Sequence, residues 1–149
     1  LASLCIKEGK HVYAIFVDVN VLNVDGNLFD ATNYAVVSAL LTAKMPKYVL
    51  EGDAVKNSGE SVPVPVAKIP VSVTIARVGN TLIADPTSEE EAVMDSRITL
   101  TTDDDSNICA GQKGEPGTFP PEQILQAAEV AIRRGKEIRQ AIKAATGHG

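Results

Sequence analysis

The chain has no tryptophan and few cysteine, histidine or aromatic residues. Its two cysteines, Cys5 and Cys109, are too few for a disulfide framework and too far apart for a zinc signature. We therefore expect a reduced, cytoplasmic setting. The two histidines, His11 and His148, leave little scope for histidine-based catalysis. These scarcities argue against a disulfide-stabilised fold and against the commonest zinc and histidine sites.

Long apolar runs are also absent from the sequence. No stretch approaches the roughly 18 apolar residues of a membrane span, and the first residues lack the pattern of a signal peptide, so we expect no membrane partner. The formal net charge of −5 argues against non-specific binding of nucleic acid across the whole surface. It leaves room for a local basic patch. No glycine-rich loop has the spacing of a P-loop.

The first part of the chain predicts a strand followed by a buried helix. Apolar residues alternate over residues 12–22, which is the period of a strand with a buried face. Few residues precede this strand to pair with it, so we expect that the N-terminal half of the domain is absent from this sequence. Residues 28–44 are largely apolar and predict a helix that ends at Met45 and Pro46.

A polar stretch then indicates the boundary between two lobes. We expect a short strand at residues 47–50 and a loop over residues 52–62, because the second segment is polar and contains two glycines. Alternating prolines keep residues 62–66 extended. We therefore divide the chain into residues 1–61, the later part of a first lobe, and residues 62–149, a second lobe.

The second lobe predicts the order β-β-α-β-β-α. Gly79-Asn80 is a hairpin signal between strands at residues 71–75 and 81–84, and Thr87 to Glu90 fits a capping box. A second hairpin is expected over residues 97–112, and Pro121 suits the first turn of a long helix. The apolar stripe of that helix is expected at Ile124, Ala128, Ala131, Ile138, Ile142 and Ala145, interrupted by Gly135. The fold class is therefore α+β.

Two acidic groups and one basic group are candidate sites. Asp85, Glu89–Glu91 and Asp95 could serve Mg²⁺ or acid–base chemistry, or could simply stabilise a helix N-terminus. Asp103, Asp105 and Asn107 imitate the start of an EF-hand loop, but its sixth and twelfth positions do not fit, so we expect a polar hairpin turn. Arg133, Arg134 and Arg139 make the last helix a candidate RNA-binding surface or a helix stabilised by its own cations.

Two sequence strings carry a resemblance to a known family. Residues 17–22, followed by the Asp-Gly-Asn-Leu-Phe-Asp-Ala string of residues 25–31, are similar to the RNase PH family, as are residues 69–75 and 82–91. Within that family the chain resembles the non-catalytic RNase PH-like core subunit of archaeal exosomes. The resemblance covers nearly the whole chain but only the later part of the family's domain.

The chain departs from active members of this family at the positions that carry their chemistry. The resemblance implies that a hydroxyl residue and an arginine hold the attacking phosphate, and here these positions are Leu28 and Phe29. It also implies an acidic pair, and here the positions are Glu91 and Arg97. Leucine and phenylalanine have no donors, and arginine does not deprotonate. We therefore expect no catalytic, phosphate-binding or metal site. An alignment shift of two residues would put Asp95 in place of Arg97.

The resemblance implies a role in RNA degradation as a structural subunit. The expected assembly is a hetero-hexamer that alternates this subunit with a catalytic RNase PH-like subunit, with OB-fold and KH cap proteins above it and RNA inside it. No cofactor is expected for this chain, while the catalytic partner uses inorganic phosphate, with Mg²⁺ as a candidate ion. The alternatives are an active phosphorolytic exoribonuclease with a shifted site at Asp85, Glu91 and Asp95, or an RNA-binding module that uses the last helix.

Overall fold

The computed structural model of the chain describes residues 2–52 and 54–148. A short 3₁₀ turn, Ala2–Leu4, precedes three helices and eight strands within these ranges. In chain order the elements are β1 Cys5–Lys7, β2 His11–Val12, α1 Leu28–Thr42, β3 Lys44–Glu51, β4 Ala54–Pro63, β5 Val71–Val78, β6 Thr81–Ala84, α2 Ser88–Val93, β7 Ser96–Thr102, β8 Ile108–Gly114 and α3 Pro121–Thr146. The predicted α+β class is confirmed, and so is the order of the second lobe.

An antiparallel sheet with the order β6-β5-β7-β8 organises the second half of the chain. Helices α1 and α3 both pack against β5. A core of Val37, Leu41, Ile69, Val71 and Ile142 joins α1, β5 and α3. The two parts of the chain therefore share one core. The predicted division at residue 61 stays a prediction, and its boundary lies within β4.

Local sequence signals correctly locate the turns of this sheet. The β5–β6 hairpin turns at Gly79 and Asn80, with Val78 opposite Thr81. Thr87 and Glu90 form the expected capping box, in which the Glu90 amide donates to the Thr87 hydroxyl and the Glu90 carboxylate accepts from the Thr87 amide. These signals hold because hairpin turns and helix caps depend on residues close in sequence.

The turn after β7 is held by ionic contacts. The Asp103 carboxylate accepts hydrogen bonds from the amides of Asp105 and Asn107, and Lys68 Nζ lies 2.6 Å from its Oδ2. The Lys68 ammonium and the hydrogen bonds from Asn107 lower the pKa of Asp103 to about 2. The expectation of a polar hairpin turn is confirmed.

The predicted strand over residues 12–22 is wrong. Only His11–Val12 forms a strand. Among the residues that follow, Phe16 is 86% exposed and Leu22 is 97% exposed. This segment instead runs beside α1, where Ala14–Asp18 border a cavity with Val36 and Leu40. Apolar alternation predicts a strand only where a partner strand supplies hydrogen bonds, and within the described residues no strand pairs with this segment.

The predicted loop over residues 52–62 is also wrong, because residues 54–63 form β4, antiparallel to β3. Helix α1 ends earlier than expected, at Thr42, and Met45 and Pro46 lie in β3. The Tyr13 hydroxyl donates to the Pro46 carbonyl and accepts from the Tyr48 amide, which attaches the hairpin to the chain before α1. A polar strand exposed on both faces lacks the alternation from which strands are predicted.

The predicted apolar stripe of α3 is correct at four positions and wrong at its two ends. Ala131 and Ile142 are buried, and Ala128 and Ile138 pack against the core, whereas Ile124 is 41% exposed and Ala145 is exposed. The buried face also includes Ala127, Gly135 and Arg139. Gly135 interrupts the apolar pattern for a packing reason, since a Cβ there would lie 2.4 Å from Thr102 Oγ1. The helix approaches β7 too closely at this point for any side chain. No helix in the described ranges is long and apolar enough to cross a membrane.

Candidate functional site at the start of helix α1

The turn before α1 lies directly against the turn before α2. Gly26 has φ 90°, and a Cβ there would lie 2.5 Å from the Pro86 carbonyl oxygen. Asn27 follows with φ 48°, also in the left-handed region. Asp25 accepts a hydrogen bond of 2.8 Å from the Ser88 hydroxyl. Glycine at position 26 is thus required both by φ and by close contact with the backbone of the neighbouring turn.

Three carboxylates converge on Asn27, which is 5% exposed. Its backbone amide donates to Glu91 Oε1 over 3.0 Å. Its side-chain Nδ2 donates to Asp30 Oδ2 over 2.9 Å and to Asp85 Oδ1 over 2.6 Å. The side-chain Oδ1 is buried and has no hydrogen-bond partner. Asn27 therefore donates hydrogen bonds to carboxylates of α1, of the turn after β6 and of α2.

Asp30 is the most deeply buried of these carboxylates, with 2% exposure. Its oxygens also accept hydrogen bonds from the Thr74 amide over 2.7 Å and the Thr74 hydroxyl over 2.9 Å. Burial raises the pKa of Asp30, and the bonds from Asn27 and Thr74 oppose that rise. Burial likewise raises the pKa of Tyr34, whose hydroxyl donates to the Ser72 carbonyl. Asp30 thus fastens the first turn of α1 to the central strand.

The positions of Phe29 and Arg97 are in contact. The Arg97 guanidinium carbon lies 4.9 Å from the centroid of the Phe29 ring, a cation–π arrangement. Leu28 and Phe29 form the first two residues of α1, and each is 42% exposed. Leu28, Phe29 and Arg97, three of the positions at which the chain departs from the pattern of active RNase PH members, thus lie at the start of α1 or against it.

The structure gives Asp95 partners different from those of Asp85 and Glu91. Asp95 Oδ2 accepts from the Gly79 amide over 2.7 Å and lies 3.5 Å from Arg77 Nη1. Asp95 therefore holds the β5–β6 turn, whereas Asp85 and Glu91 both contact Asn27. In residues 2–52 and 54–148, no three carboxylate, cysteine or histidine side chains form a group that could hold a metal ion.

Arg139 is not at the surface, which corrects its assignment as an RNA-binding candidate. It is 5% exposed, its Nε donates to the Ile69 carbonyl over 2.8 Å, and its Nη2 donates to the Thr102 carbonyl over 2.6 Å. The helical spacing from Ala131 and Gly135 turns it inward. Arg133 and Arg134 are exposed, and Arg134 pairs with Glu137 over 2.7 Å.

Sequence reasoning missed Asn27 and Thr74 as the centre of this site. Asn27 directly follows Gly26, and its left-handed φ is one that asparagine tolerates better than most residues. The Gly-Asn pair was therefore a usable signal for this turn. Thr74 gave no such signal, because its place in an alternating strand predicts an exposed polar side chain. In the structure Thr74 is only 1% exposed.

Two sequence profiles of one family match the chain. The profile described as 3′ exoribonuclease family, domain 1, matches residues 1–46, and the profile described as domain 2 matches residues 68–134. The exosome complex component Rrp42 of Thermococcus kodakarensis is 45% identical to the chain over 149 residues. The chain belongs to the 3′ exoribonuclease family, that of RNase PH. The resemblance drawn from the residues is confirmed.

The similarity of this RNase PH family chain to archaeal relatives extends to structure. Rrp42 of Pyrococcus furiosus is 46% identical over 144 residues. A solved archaeal exosome core contains a chain that matches with a TM-score of 0.84 and 37% identity over 96% of this chain, and an Archaeoglobus fulgidus exosome with RNA bound to its active site matches with a TM-score of 0.84 and 34% identity over 96%.

The chain spans about half the length of these relatives. The match with the Thermococcus protein includes 99% of this chain and 55% of that protein, and the match with the Pyrococcus protein includes 95% and 52%. The matches with the two solved chains include 56% and 54% of those chains. The likeness therefore concerns about half of each relative.

Proposed function

We propose that the chain is part of a non-catalytic structural subunit of an archaeal exosome, a phosphate-dependent 3′→5′ exoribonuclease ring that degrades and processes RNA. Membership of the RNase PH family and the names of the similar relatives support this role. The subunit supports the active site of a catalytic neighbour and helps to form the path of the RNA. A cytoplasmic location is part of the same proposal.

The observation that carries the non-catalytic assignment is the pair of apolar side chains that begins α1. Leu28 and Phe29 are the first two residues of the helix, and each is 42% exposed. In active members the resemblance puts the attacking phosphate beside the first residues of this helix. Leu28 and Phe29 have no side-chain donors for an anion. Phosphate binding therefore lacks the side-chain ligands that the resemblance implies for active members.

One position of the acidic pair expected of an active member holds a residue of the opposite charge. Arg97 stands at one of its positions, and its guanidinium rests on the Phe29 ring. A guanidinium neither donates a proton to a leaving group at neutral pH nor ligates a cation. The alternative of a shifted active site at Asp85, Glu91 and Asp95 is weakened because Asp95 is engaged at the β5–β6 turn.

The proposed partners follow from the family. They are a catalytic RNase PH-like subunit that alternates with this one in a hetero-hexamer, OB-fold and KH cap proteins, and RNA. Inorganic phosphate, with Mg²⁺, would serve the catalytic partner. Arg133 and Arg134 remain candidate RNA contacts of this chain, because both are exposed on α3.

The decisive experiment measures nucleoside diphosphate released from RNA by the full-length subunit, alone and with its catalytic partner, with and without phosphate. We expect no product from the subunit alone in either buffer and phosphate-dependent product from the complex. Turnover by the subunit alone that Asp85→Asn or Asp95→Asn abolishes would instead establish a shifted active site. Glu129→Gln, an exposed change on α3, is the matched control and should leave the complex unchanged.

A further inference from the structure

Residues 14–22 run along the outer side of α1 without a neighbouring strand. Residues 14–18 border the end of the helix and residues 19–22 border its start, so the segment is antiparallel to α1. Within the described ranges no backbone hydrogen bond joins residues 14–22 to any other residue. The segment therefore leaves a row of donors and acceptors open on both of its edges, as an isolated strand does.

The side chains of this segment still alternate as in a strand. Those at the odd positions are about half exposed, at 41–51%: Ile15, Val17, Val19 and Val21. At the even positions Phe16 is 86% exposed and Leu22 is 97% exposed. One side of the segment is thus partly covered by the described residues, and the other side is open. A contiguous exposed apolar patch of this kind marks a surface that another structure covers.

Two cavities separate the segment from α1. One, of about 400 Å³, has Val36 and Leu40 on its helix side, and the other, of about 270 Å³, has Ala31 and Ala35. The opposite side of α1 packs into the core that it shares with β5 and α3. A helix that is apolar on all sides is typical of a protein interior. The outer side of α1 therefore also has the composition of a buried surface.

The chemistry of this face fits β-strands rather than nucleic acid. One cation, Lys44, and one carboxylate, Asp18, line the two cavities, whereas RNA is bound by several cations together. Strands with alternating apolar side chains would supply both missing components, namely backbone partners for residues 14–22 and apolar side chains for the cavities. The result is a sheet packed on a helix, which is one of the common layered arrangements.

The relatives indicate where such strands come from. The match includes 55% of the Thermococcus protein and 52% of the Pyrococcus protein, so nearly half of each lies outside it. The profile for domain 1 of the family matches residues 1–46, which contain both the segment and α1. The strands of the described ranges are already paired in their own three sheets. None of them is available to cover this face.

We propose that the full-length subunit covers this face with strands of its own, from the part that the relatives carry outside the match. These strands form hydrogen bonds with both edges of residues 14–22 and place apolar side chains in the two cavities. The first part of the chain is then completed within one subunit rather than by a neighbour in the ring. The proposal rests on membership of the family and is independent of the non-catalytic assignment.

Amide hydrogen exchange of the 149-residue chain and of the full-length subunit, each without partner proteins, tests the proposal. We expect the amides of residues 14–22 to exchange at least about a hundredfold more slowly in the full-length subunit, because paired amides exchange only when the sheet opens. The amides of β7, which has a paired strand on each side in the chain, are the internal reference and should differ little.

A pair of matched variants tests the same face by stability. Ala35→Glu puts a charge on the exposed outer side of α1, and Ala144→Glu makes the same change at an exposed position of α3. In the 149-residue chain both should leave Tm within about 2 °C of the parent. In the full-length subunit Ala35→Glu should lower Tm by about 5–10 °C, because it buries an unpaired charge, while Ala144→Glu should not.

Three results would overturn the proposal. The first is unprotected exchange of residues 14–22 in the full-length subunit alone, with equal effects of the two variants. The second is protection that develops only when a catalytic RNase PH-like subunit is added, which would assign the face to a contact between subunits. The third is protection in the 149-residue chain that rises with its concentration, which would identify a second copy as the occupant. These measurements use neither RNA nor phosphate, so their failure is distinguishable from failure of the proposed function.

Discussion

The guanidinium carbon of Arg97 lies 4.9 Å from the centroid of the Phe29 ring. Family resemblance assigns Phe29 to the arginine that holds phosphate and Arg97 to an acidic residue, although the two are distant in sequence. Their contact is the relationship expected if both replaced groups of one former active site. Where the resemblance implies an arginine and an acid, this chain has an aromatic ring and an arginine, which attract each other by a cation–π contact.

This pair predicts a measurable contribution to stability. Arg97→Ala should lower the free energy of unfolding by about 0.5–1 kcal/mol, the usual strength of a partly exposed cation–π contact. Urea unfolding of the variant and the parent measures it. Arg133→Ala, which removes an exposed arginine from α3, should change stability by less than about 0.5 kcal/mol. A loss as large in Arg133→Ala as in Arg97→Ala would show that the ring contact contributes nothing.

Replacement of Gly26 should lower the free energy of unfolding by more than its backbone angle alone explains. Gly26→Ala puts a methyl group 2.5 Å from the Pro86 carbonyl oxygen and also strains φ at 90°. The control is Gly9→Ala, with φ 70° but open space around the new methyl group. The free energy of unfolding of the control should fall by about 1–2 kcal/mol because of the left-handed backbone angle. That of Gly26→Ala should fall by more. Equal losses in thermal or urea unfolding would contradict the close contact of the two turns.

Arg139 predicts a structural rather than an RNA-binding phenotype. Arg139→Ala removes the guanidinium donors from the buried carbonyls of Ile69 and Thr102, so the free energy of unfolding should fall by about 2–4 kcal/mol. Arg133→Ala again serves as the exposed control. The measurement combines urea unfolding with RNA binding by the assembled ring. Weaker RNA binding of Arg139→Ala with unchanged stability would contradict the buried assignment.

The β7–β8 turn predicts a loss of stability in acid. The pKa of Asp103 is about 2 in the folded chain and 3.8 in the absence of its partners. The ionised form is therefore favoured by folding, so its contribution is complete above about pH 4 and disappears as the pH falls towards 2. Asp103→Asn should flatten the fall in stability over this interval. Urea midpoints at pH 5 and pH 3 test this, with the exposed Asp105→Asn as the comparison.

An unchanged pH dependence in Asp103→Asn would indicate that the contact with Lys68 is not kept in solution. A change of the same size in Asp105→Asn would assign the effect to the general acidity of the turn. The two variants separate these cases because the Asp103 side chain is far less exposed than that of Asp105, at 10% against 68%.

Sequence patterns alone predicted most elements of the second lobe. The hairpin at Gly79, the capping box at Thr87 and the start of α3 at Pro121 each depend on residues within a few positions of one another. The family was also apparent from two short strings, and with it the altered positions Leu28, Phe29 and Arg97. Such features are local, so the identity and order of residues are enough to determine them.

Tertiary structure decided the remaining features, because these depend on contacts between segments that are distant in sequence. Only the approach of α3 to β7 reveals why Gly135 is glycine and why Arg139 is buried. The convergence of Asp30, Asp85 and Glu91 on Asn27 joins distant segments that no spacing rule connects. The apolar alternation of residues 12–22 specified a potential strand, and the lack of a pairing strand in the described residues left it exposed, since a strand requires hydrogen bonds from a neighbour.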